Sequence, residues 1–416
     1  MDYRGDIVKE KILPKDWKKA KLGDYFDFKN GINFGKNDSG YDIEVLGVGD
    51  FKKRFYADFT DLSVNHVNEI KNLTRIEKND LLFVRSNGNK ELIGRVLFVK
   101  EIDRDIYYSG FVIKGSCCRD EINNEYIARV CSSTYVMNQY LVKGGGTNIS
   151  NLSQAILSDL DVLIPPYDEQ MKINNLLSTW DKAITLKEKL IKEKKNQKTS
   201  LMQQLLTGKV RLTGFDEEWK KVKLGTVLKK VNEKSHIKNE LELYSLTIEN
   251  GVTPKTDRYN REFLVKTDNK KYKITKLNDI VYNPANLRFG AIAVNRIKSP
   301  VLLSPIYEVL RLKNDRLFNL DFIGQLLTWN RTINLFSTMA EGTLIERMAV
   351  KIDTFLDVEF KMPNSIEEQT AIAFRLDLAD KEIDLLEKEI VQIKEQKKGL
   401  MQLLLTGIVR VNTQEN

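Results

Sequence analysis

The dodecamer LMQQLLTGKVRL, residues 201–212, is repeated almost unchanged as LMQLLLTGIVRV at residues 400–411. Extending the match aligns residues 169–211 with residues 368–410 without a gap, and 23 of the 43 paired positions are identical. Upstream, WKKAKLG at 17–23 recurs as WKKVKLG at 219–225. A period near 200 residues indicates a duplicated pair of domains and not a solenoid of short repeats.

Each copy also carries apolar residues at alternating steps of four and three, the 3.5-residue period of a coiled-coil helix. Neither Pro nor Gly interrupts residues 171–207, and Gly399 is the only interruption in the second copy. Gly208 and Gly407 are predicted to adopt a left-handed conformation just past each helix end. The predicted helix-pairing residues are Ile173, Leu177, Trp180, Ile184, Ile191, Leu201, Leu205, Ile372, Leu376, Ile383, Leu386, Ile390, Ile393, Leu400 and Leu404.

A helix with such a seam needs a partner, because it would otherwise expose a long apolar stripe to water. The second copy within the same chain supplies one. We favour antiparallel pairing, since a two-fold axis perpendicular to the helices requires it. Coiled-coil dimerisation between separate chains is the alternative.

Composition describes a globular chain. Its 416 residues are 42% hydrophobic, no run of about 18 apolar residues occurs, and the first residues lack a signal-peptide pattern, so a soluble cytoplasmic protein is expected. The three cysteines, Cys117, Cys118 and Cys131, have no metal-ligand spacing and form an odd set. With only His66 and His236 besides, neither a metal centre nor a histidine base is predicted.

The net charge of +8 suggests only mild attraction to polyanions, but its distribution is uneven. Between Lys255 and Lys298, eleven basic residues outnumber four acids, and five aromatic residues are interleaved: Tyr259, Phe263, Tyr272, Tyr282 and Phe289. This composition suits contact with nucleic acid. A solvated strand face with core aromatics is the alternative.

Signatures of catalysis are weak. The Gly144–Gly146 run is not followed by the lysine of a phosphate loop, and Gly47-Val-Gly-Asp lacks a third glycine. The sequence NPAN at 283–286 lacks the second proline and the aromatic residue of amino-methyltransferases. Asp80, Glu91 and Asp279 show no spacing typical of a nuclease metal site. The chain is predicted to bind and not to catalyse.

The order of these motifs, duplicated along nearly the whole chain, resembles the specificity subunit of type I restriction-modification systems. Each variable stretch opens with the WKKxKLG phrase and closes with PPYDEQ at 165–170 or PNSIEEQ at 363–369, before a long helix ending in LMQxLLTG. The segment GGTNISNL at 145–152 also looks like that family's recognition domains. The second copy departs at Gly342-Thr-Leu-Ile and has a single Pro363.

The resemblance implies an α+β fold with two target recognition domains, joined by two long helices that form an antiparallel coiled coil. The predicted boundaries are 1–168 and 213–367 for the recognition domains, 169–212 for the first helix, and 368–416 for the second helix and tail. The implied function is the reading of a bipartite asymmetric DNA sequence by a non-catalytic subunit. Two modification subunits, bringing S-adenosylmethionine, and two restriction subunits, using ATP and Mg²⁺, are the implied partners; this chain itself would bind no cofactor and no membrane.

The candidate DNA-binding residues lie in loops where the two copies differ. Arg can pair with guanine and Asn with adenine in the major groove, while Lys mostly contacts phosphates. The candidates are Arg85, Asn87, Asn89, Lys90, Thr147, Asn148 and Asn151 in the first domain, and Lys271, Asn283, Asn286, Arg288, Thr343 and Arg347 in the second. For each, loop structure or phosphate contact is the alternative to base reading. For the whole chain, the alternatives are a duplicated protein-binding scaffold and a freestanding DNA methylase or nuclease.

Overall fold

The computed structural model describes residues 13–33, 40–52, 54–70, 73–143, 151–236, 241–255, 271–342 and 348–412. The chain forms two compact units, which divide at the middle of both long helices. The first unit contains Met1–Glu188 and Glu389–Asn416, and the second contains Lys189–Lys388. Each unit therefore holds one variable domain, the first half of the helix that follows that domain, and the last half of the other helix.

The first unit contains nine strands and three short helices among its described residues, before the long helix α4. The strands are β1 (Lys18–Lys21), β2 (Phe26–Asn30), β3 (Tyr41–Leu46), β4 (Ser63–Val67), β5 (Leu81–Val84), β6 (Val96–Phe98), β7 (Ile106–Tyr108), β8 (Val112–Cys117) and β9 (Asp161–Ile164). The helices are α1 (Asn124–Cys131), α2 (Thr134–Lys143), α3 (Gln154–Ser158) and α4 (Tyr167–Leu205).

The second unit repeats this succession. Its strands are β10 (Lys220–Lys223), β11 (Leu228–Val231), β12 (Lys234–His236), β13 (Tyr244–Thr247), β14 (Gly251–Pro254), β15 (Lys271–Thr275), β16 (Ile280–Tyr282), β17 (Ile292–Val294), β18 (Val301–Leu303), β19 (Glu308–Leu312) and β20 (Glu359–Met362). Its helices are α5 (Leu224–Val227), α6 (Leu320–Thr328), α7 (Asn330–Thr338), α8 (Ile352–Asp357) and α9 (Ile366–Leu405).

The sheets show the duplication most directly. A four-stranded sheet has the order β2-β8-β5-β6 in the first unit and β11-β19-β16-β17 in the second. The WKKxKLG phrases supply β1 and β10, which pair antiparallel with β9 and β20, the strands that lead into the long helices. The loops that hold the candidate residues Arg85 and Asn283 each join two antiparallel strands, β5 with β6 and β16 with β17. The predicted α+β class is confirmed.

The two long helices pair antiparallel within each unit. In the first unit, Asp181 of α4 binds Lys397 of α9, and Glu188 binds Lys394, so the numbering runs in opposite directions along the two helices. Salt bridges in the second unit join Lys194 to Glu382, Lys195 to Glu387 and Lys198 to Asp380. All of the predicted pairing positions are buried or half-buried. Four lysines also occupy seam positions, and each forms a salt bridge with an acidic residue of the other helix, which explains how the seam tolerates them: Lys187, Lys194, Lys198 and Lys397.

The repeated phrase ends each helix in the predicted way, because Gly208 and Gly407 have φ angles of +68° and +69°. Each glycine packs against a tryptophan of the WKKxKLG phrase: a Cβ on Gly208 would lie 3.2 Å from the Trp219 ring, and one on Gly407 would lie 3.4 Å from Trp17. The indole Nε1 atoms donate to Glu368 and Glu169, respectively. The phrase is therefore a structural connector that fastens each helix end to a domain.

Candidate nucleic-acid interface

In the first domain, the predicted DNA-reading loop follows β5, whose four residues are all buried. Arg85 is half-buried at the base of the loop and binds the neighbouring segment, with Nη1 donating to the carbonyl of Gly110 and the backbone N–H donating to the carbonyl of Phe111. Its own carbonyl accepts from Leu152. These contacts give Arg85 a role in holding two adjacent segments together.

The tip of this loop is organised by asparagine side chains. Asn87 Oδ1 accepts from the backbone N–H of Asn89 over 2.7 Å, and Asn89 Oδ1 accepts from Glu91 over 3.1 Å, which begins a short 3-10 turn at Lys90. Asn89 and Lys90 are exposed, whereas Asn87 is half-buried. Side-chain caps of this kind leave the amide nitrogen available for another acceptor.

The equivalent loop of the second domain is built differently. Asn283 is 8% exposed, and its Oδ1 accepts from the backbone N–H of Ala285, so this side chain shapes the turn. Asn286 is exposed, and the half-buried Arg288 lies over the Phe289 ring, 4.6 Å from its centroid. Phe289 is exposed, which leaves an Arg-aromatic pair at the surface. The two loops start from equivalent strands and present different side chains.

The remaining candidates are placed less completely. Asn151 and Lys271 are exposed at the ends of described segments. Thr147, Asn148, Thr343 and Arg347 lie outside the described residues, as do Tyr259 and Phe263 of the basic segment. Tyr272 and Tyr282 of that segment are buried, as the alternative interpretation of core aromatics expects.

Two of the three acids considered for a nuclease site, Asp80 and Asp279, serve the scaffold. Asp80 is 2% exposed, accepts from Ser116 Oγ over 2.6 Å, and lies 3.1 Å from the buried ammonium group of Lys114. Asp279 is 1% exposed and accepts from Nε and Nη2 of Arg311. Asn79 and Asn278, which precede these acids, both have φ angles near +70°. The shared Asn-Asp pair therefore fixes the entry to β5 and β16.

Sequence reasoning missed Asn65 and Phe111, which line the same cleft as the first loop. They belong to β4 and to the turn before β8, and only the fold brings them beside Asn87. Phe111 is 58% exposed although it directly precedes the buried residues Val112 and Ile113, so the sequence alone gives no sign that it faces solvent.

No helix in the described parts of the chain combines the length and apolarity needed to cross a membrane.

Two sequence comparisons with known proteins point to the same family. Residues 14–195 match the family model described as the type I restriction modification DNA specificity domain. The MjaVIII type I restriction enzyme specificity subunit of Methanocaldococcus jannaschii is 24% identical, covering 96% of this chain and 94% of that protein.

Solved structures show the same fold. One, from work on the complex assembly and conformational transition of the type I R-M system, has a TM-score of 0.63 at 14% identity and covers 95% of this chain and 99% of that chain. The S subunit from M. genitalium has a TM-score of 0.53 at 14% identity and covers 96% and 97%.

Proposed function

We propose that this chain is a specificity subunit of a type I restriction-modification system, the non-catalytic kind of subunit that recognises the DNA sequence, and that each of its two domains reads one half of a bipartite asymmetric target. One observation carries the proposal: equivalent loops, after β5 and β16, stand on sheets of the same strand order but present different side chains. Different loops on one scaffold give different half-sites in a related geometry.

The proposed partners follow from the same family, first as classes of partner and then as numbers of subunits. Association with DNA and with the other subunits of a restriction-modification complex is a property of the family. We propose, further, that two modification and two restriction subunits assemble with one copy of this chain. Two salt bridges at equivalent positions of the repeat support this stoichiometry: Asp181 with Lys397, and Asp380 with Lys198. They show that the helix pair occurs in two equivalent copies, which can bind two identical partners. S-adenosylmethionine, ATP and Mg²⁺ would be bound by those partners.

A domain exchange tests the reading of half-sites. Replacing residues 13–168 by the equivalent residues of a relative, while keeping Asp16, Trp17 and Glu169 for their contacts with the C-terminal phrase, should change one half of the methylated sequence and leave the other half unchanged. Sequencing of methylated genomic sites provides the measurement. A change in both halves, or in neither, would contradict the proposal.

Salt dependence separates DNA recognition from a protein-binding scaffold. Binding of the assembled methylase to its target duplex should weaken steeply as salt rises, because contacts to phosphates release counterions. If the affinity for DNA did not change with salt concentration, the alternative function of a protein-binding scaffold would be favoured.

A further inference from the structure

A cleft of about 660 Å³ opens beside the predicted reading loop of the first domain. One wall is formed by Val45 of β3 with Ser63 and Asn65 of β4, and the other by residues 86–88 of the loop. Phe111 stands at its edge with 58% of its surface exposed. The cleft therefore joins the variable loop to a fixed sheet.

The chemistry of the lining favours a base edge over a phosphate. All ten residues that line the cleft are uncharged, and the lining contains amide and hydroxyl groups together with Phe111. A lining without a cation lacks the charge that dominates phosphate binding, whereas pairing of Asn with adenine and apolar contact with the thymine methyl group are common ways of reading base edges.

The hydrogen-bond network fixes which atoms the two amides can offer. Asn87 uses Oδ1 to accept from the N–H of Asn89, so Nδ2 remains a donor. Asn65 Nδ2 donates to Ser63 Oγ over 3.4 Å, and that hydroxyl donates in turn to the carbonyl of Val45, so Oδ1 of Asn65 remains an acceptor. Of the two amides, Asn87 thus offers a donor and Asn65 an acceptor.

In the major groove, adenine presents an acceptor at N7 beside a donor at N6, guanine presents two acceptors, cytosine a donor, and thymine an acceptor with a methyl group. We propose that this cleft reads one A·T pair of the first half-site, with Asn87 Nδ2 donating to adenine N7, Asn65 Oδ1 accepting from the N6 amino group, and Phe111 packing on the thymine methyl group. This assignment rests on the proposed function and makes Asn65 and Phe111 specificity-determining residues. Arg85 is a positioning residue, because it holds Gly110 and Phe111.

The variant Asn87→Asp isolates the donor. Its carboxylate still accepts from the N–H of Asn89 but cannot donate to N7. In the complex of this chain with its modification subunits, we expect the ratio of affinities for adenine over the other bases to fall by about 5- to 150-fold at one position of one half-site. Asn65→Leu should affect the same position. Asn89→Asp adds the same charge to the same loop outside the cleft and is expected to weaken binding equally for all sequences.

Modified bases supply a readout that a folding defect would not reproduce. Replacing the adenine by 7-deazaadenine should weaken binding of the wild-type complex but leave the Asn87→Asp complex unaffected. Replacing the paired thymine by deoxyuridine should likewise weaken binding of the wild-type complex and leave binding of the Phe111→Ala complex unaffected.

Three outcomes would overturn the assignment. Asn87→Asp could lose affinity equally for every sequence, or Asn89→Asp could change the base preference in the same way as Asn87→Asp. The third outcome is that 7-deazaadenine weakens binding of the wild-type and Asn87→Asp complexes equally. Failure of the proposed function would look different, since the unmodified wild-type complex would then show no sequence preference in the first half-site.

Discussion

Arg410 Nε donates to Glu169 Oε1 across 2.7 Å and so joins residues 241 positions apart. Arg211 makes the equivalent contact with Glu368 at 2.6 Å in the second unit. Glu169 and Glu368 are almost fully buried, and each also accepts from the tryptophan of its domain. The arginine of each repeated phrase thus binds the start of the other long helix.

Removing either arginine should leave a buried carboxylate without its cation. We expect Arg410→Ala to lower the free energy of unfolding of the first unit by about 1–3 kcal/mol, since loss of one partner from a buried pair is costly and Arg410 is itself partly exposed. Arg211→Ala should act on the second unit by a similar amount. Urea unfolding followed by limited proteolysis would assign each loss to its unit; equal protection of both units in Arg410→Ala would contradict this.

The two phrase glycines should tolerate no side chain. Gly208→Ala forces a φ of +68° on an L residue and places a methyl group against Trp219, so we expect a loss of about 1–2 kcal/mol in unfolding free energy. Gly399→Ala is the matched control, because this glycine lies inside α9 with nothing within 4 Å of the added Cβ. That change should stabilise the protein by about 0.5–1 kcal/mol. Thermal unfolding would reveal the opposite signs.

Sequence pattern predicts those parts of the fold in which neighbours along one helix or strand decide the outcome. The 3.5-residue period located the seam from Ile173 to Leu205, and the Thr-Gly pairs located the helix ends. The pattern could not reveal that Arg410 contacts Glu169, because that contact depends on the antiparallel pairing of the two helices in the first unit. For the same reason, the sequence gives no sign of Asn65 and Phe111 at the cleft, or of the turn that Asn283 supports through its Oδ1.

One asymmetry between the units lies where each domain meets its helix. Arg129 of α1 is fully buried and donates to Asn174 and Asp181 of α4, whereas Gln325, at the same distance after the cap of α6, makes a single contact with Asp380. Arg129→Ala should therefore cost about 3–5 kcal/mol in unfolding free energy. Gln325→Ala should cost about 1 kcal/mol. Chemical denaturation of the two variants in parallel would detect the difference, and equal losses would argue against it.

Low pH should also destabilise the contact between α1 and α4 in the first unit. Burial raises the pKa of Glu125, but hydrogen bonds from Tyr56 and Asn174 and the charge of Arg129 outweigh it, so the pKa falls below the ordinary 4.5. A carboxyl group with a lowered folded pKa stabilises the fold above its unfolded pKa, and this contribution disappears as pH falls through the folded value. Glu125→Gln should therefore be less stable than wild type at about pH 6, with the gap narrowing below about pH 4.5. Urea unfolding at a series of pH values measures it; a constant gap would refute the assignment.

The long helices should set the spacer between the two half-sites if they act as rulers. Inserting seven residues into α4 after Glu188, together with seven into α9 after Lys388, preserves the 3.5-residue seam and the antiparallel register while lengthening each helix by about 10.5 Å. At about 3.4 Å per base pair this corresponds to roughly three base pairs. Methylated sites should then carry a spacer about three base pairs longer with both half-sites unchanged. Insertion into α4 alone is the control, because it shifts the contacts of Asp181 and Lys198 out of register and should abolish methylation. An unchanged spacer with full methylation by the doubly extended chain would show that the helices do not determine the distance.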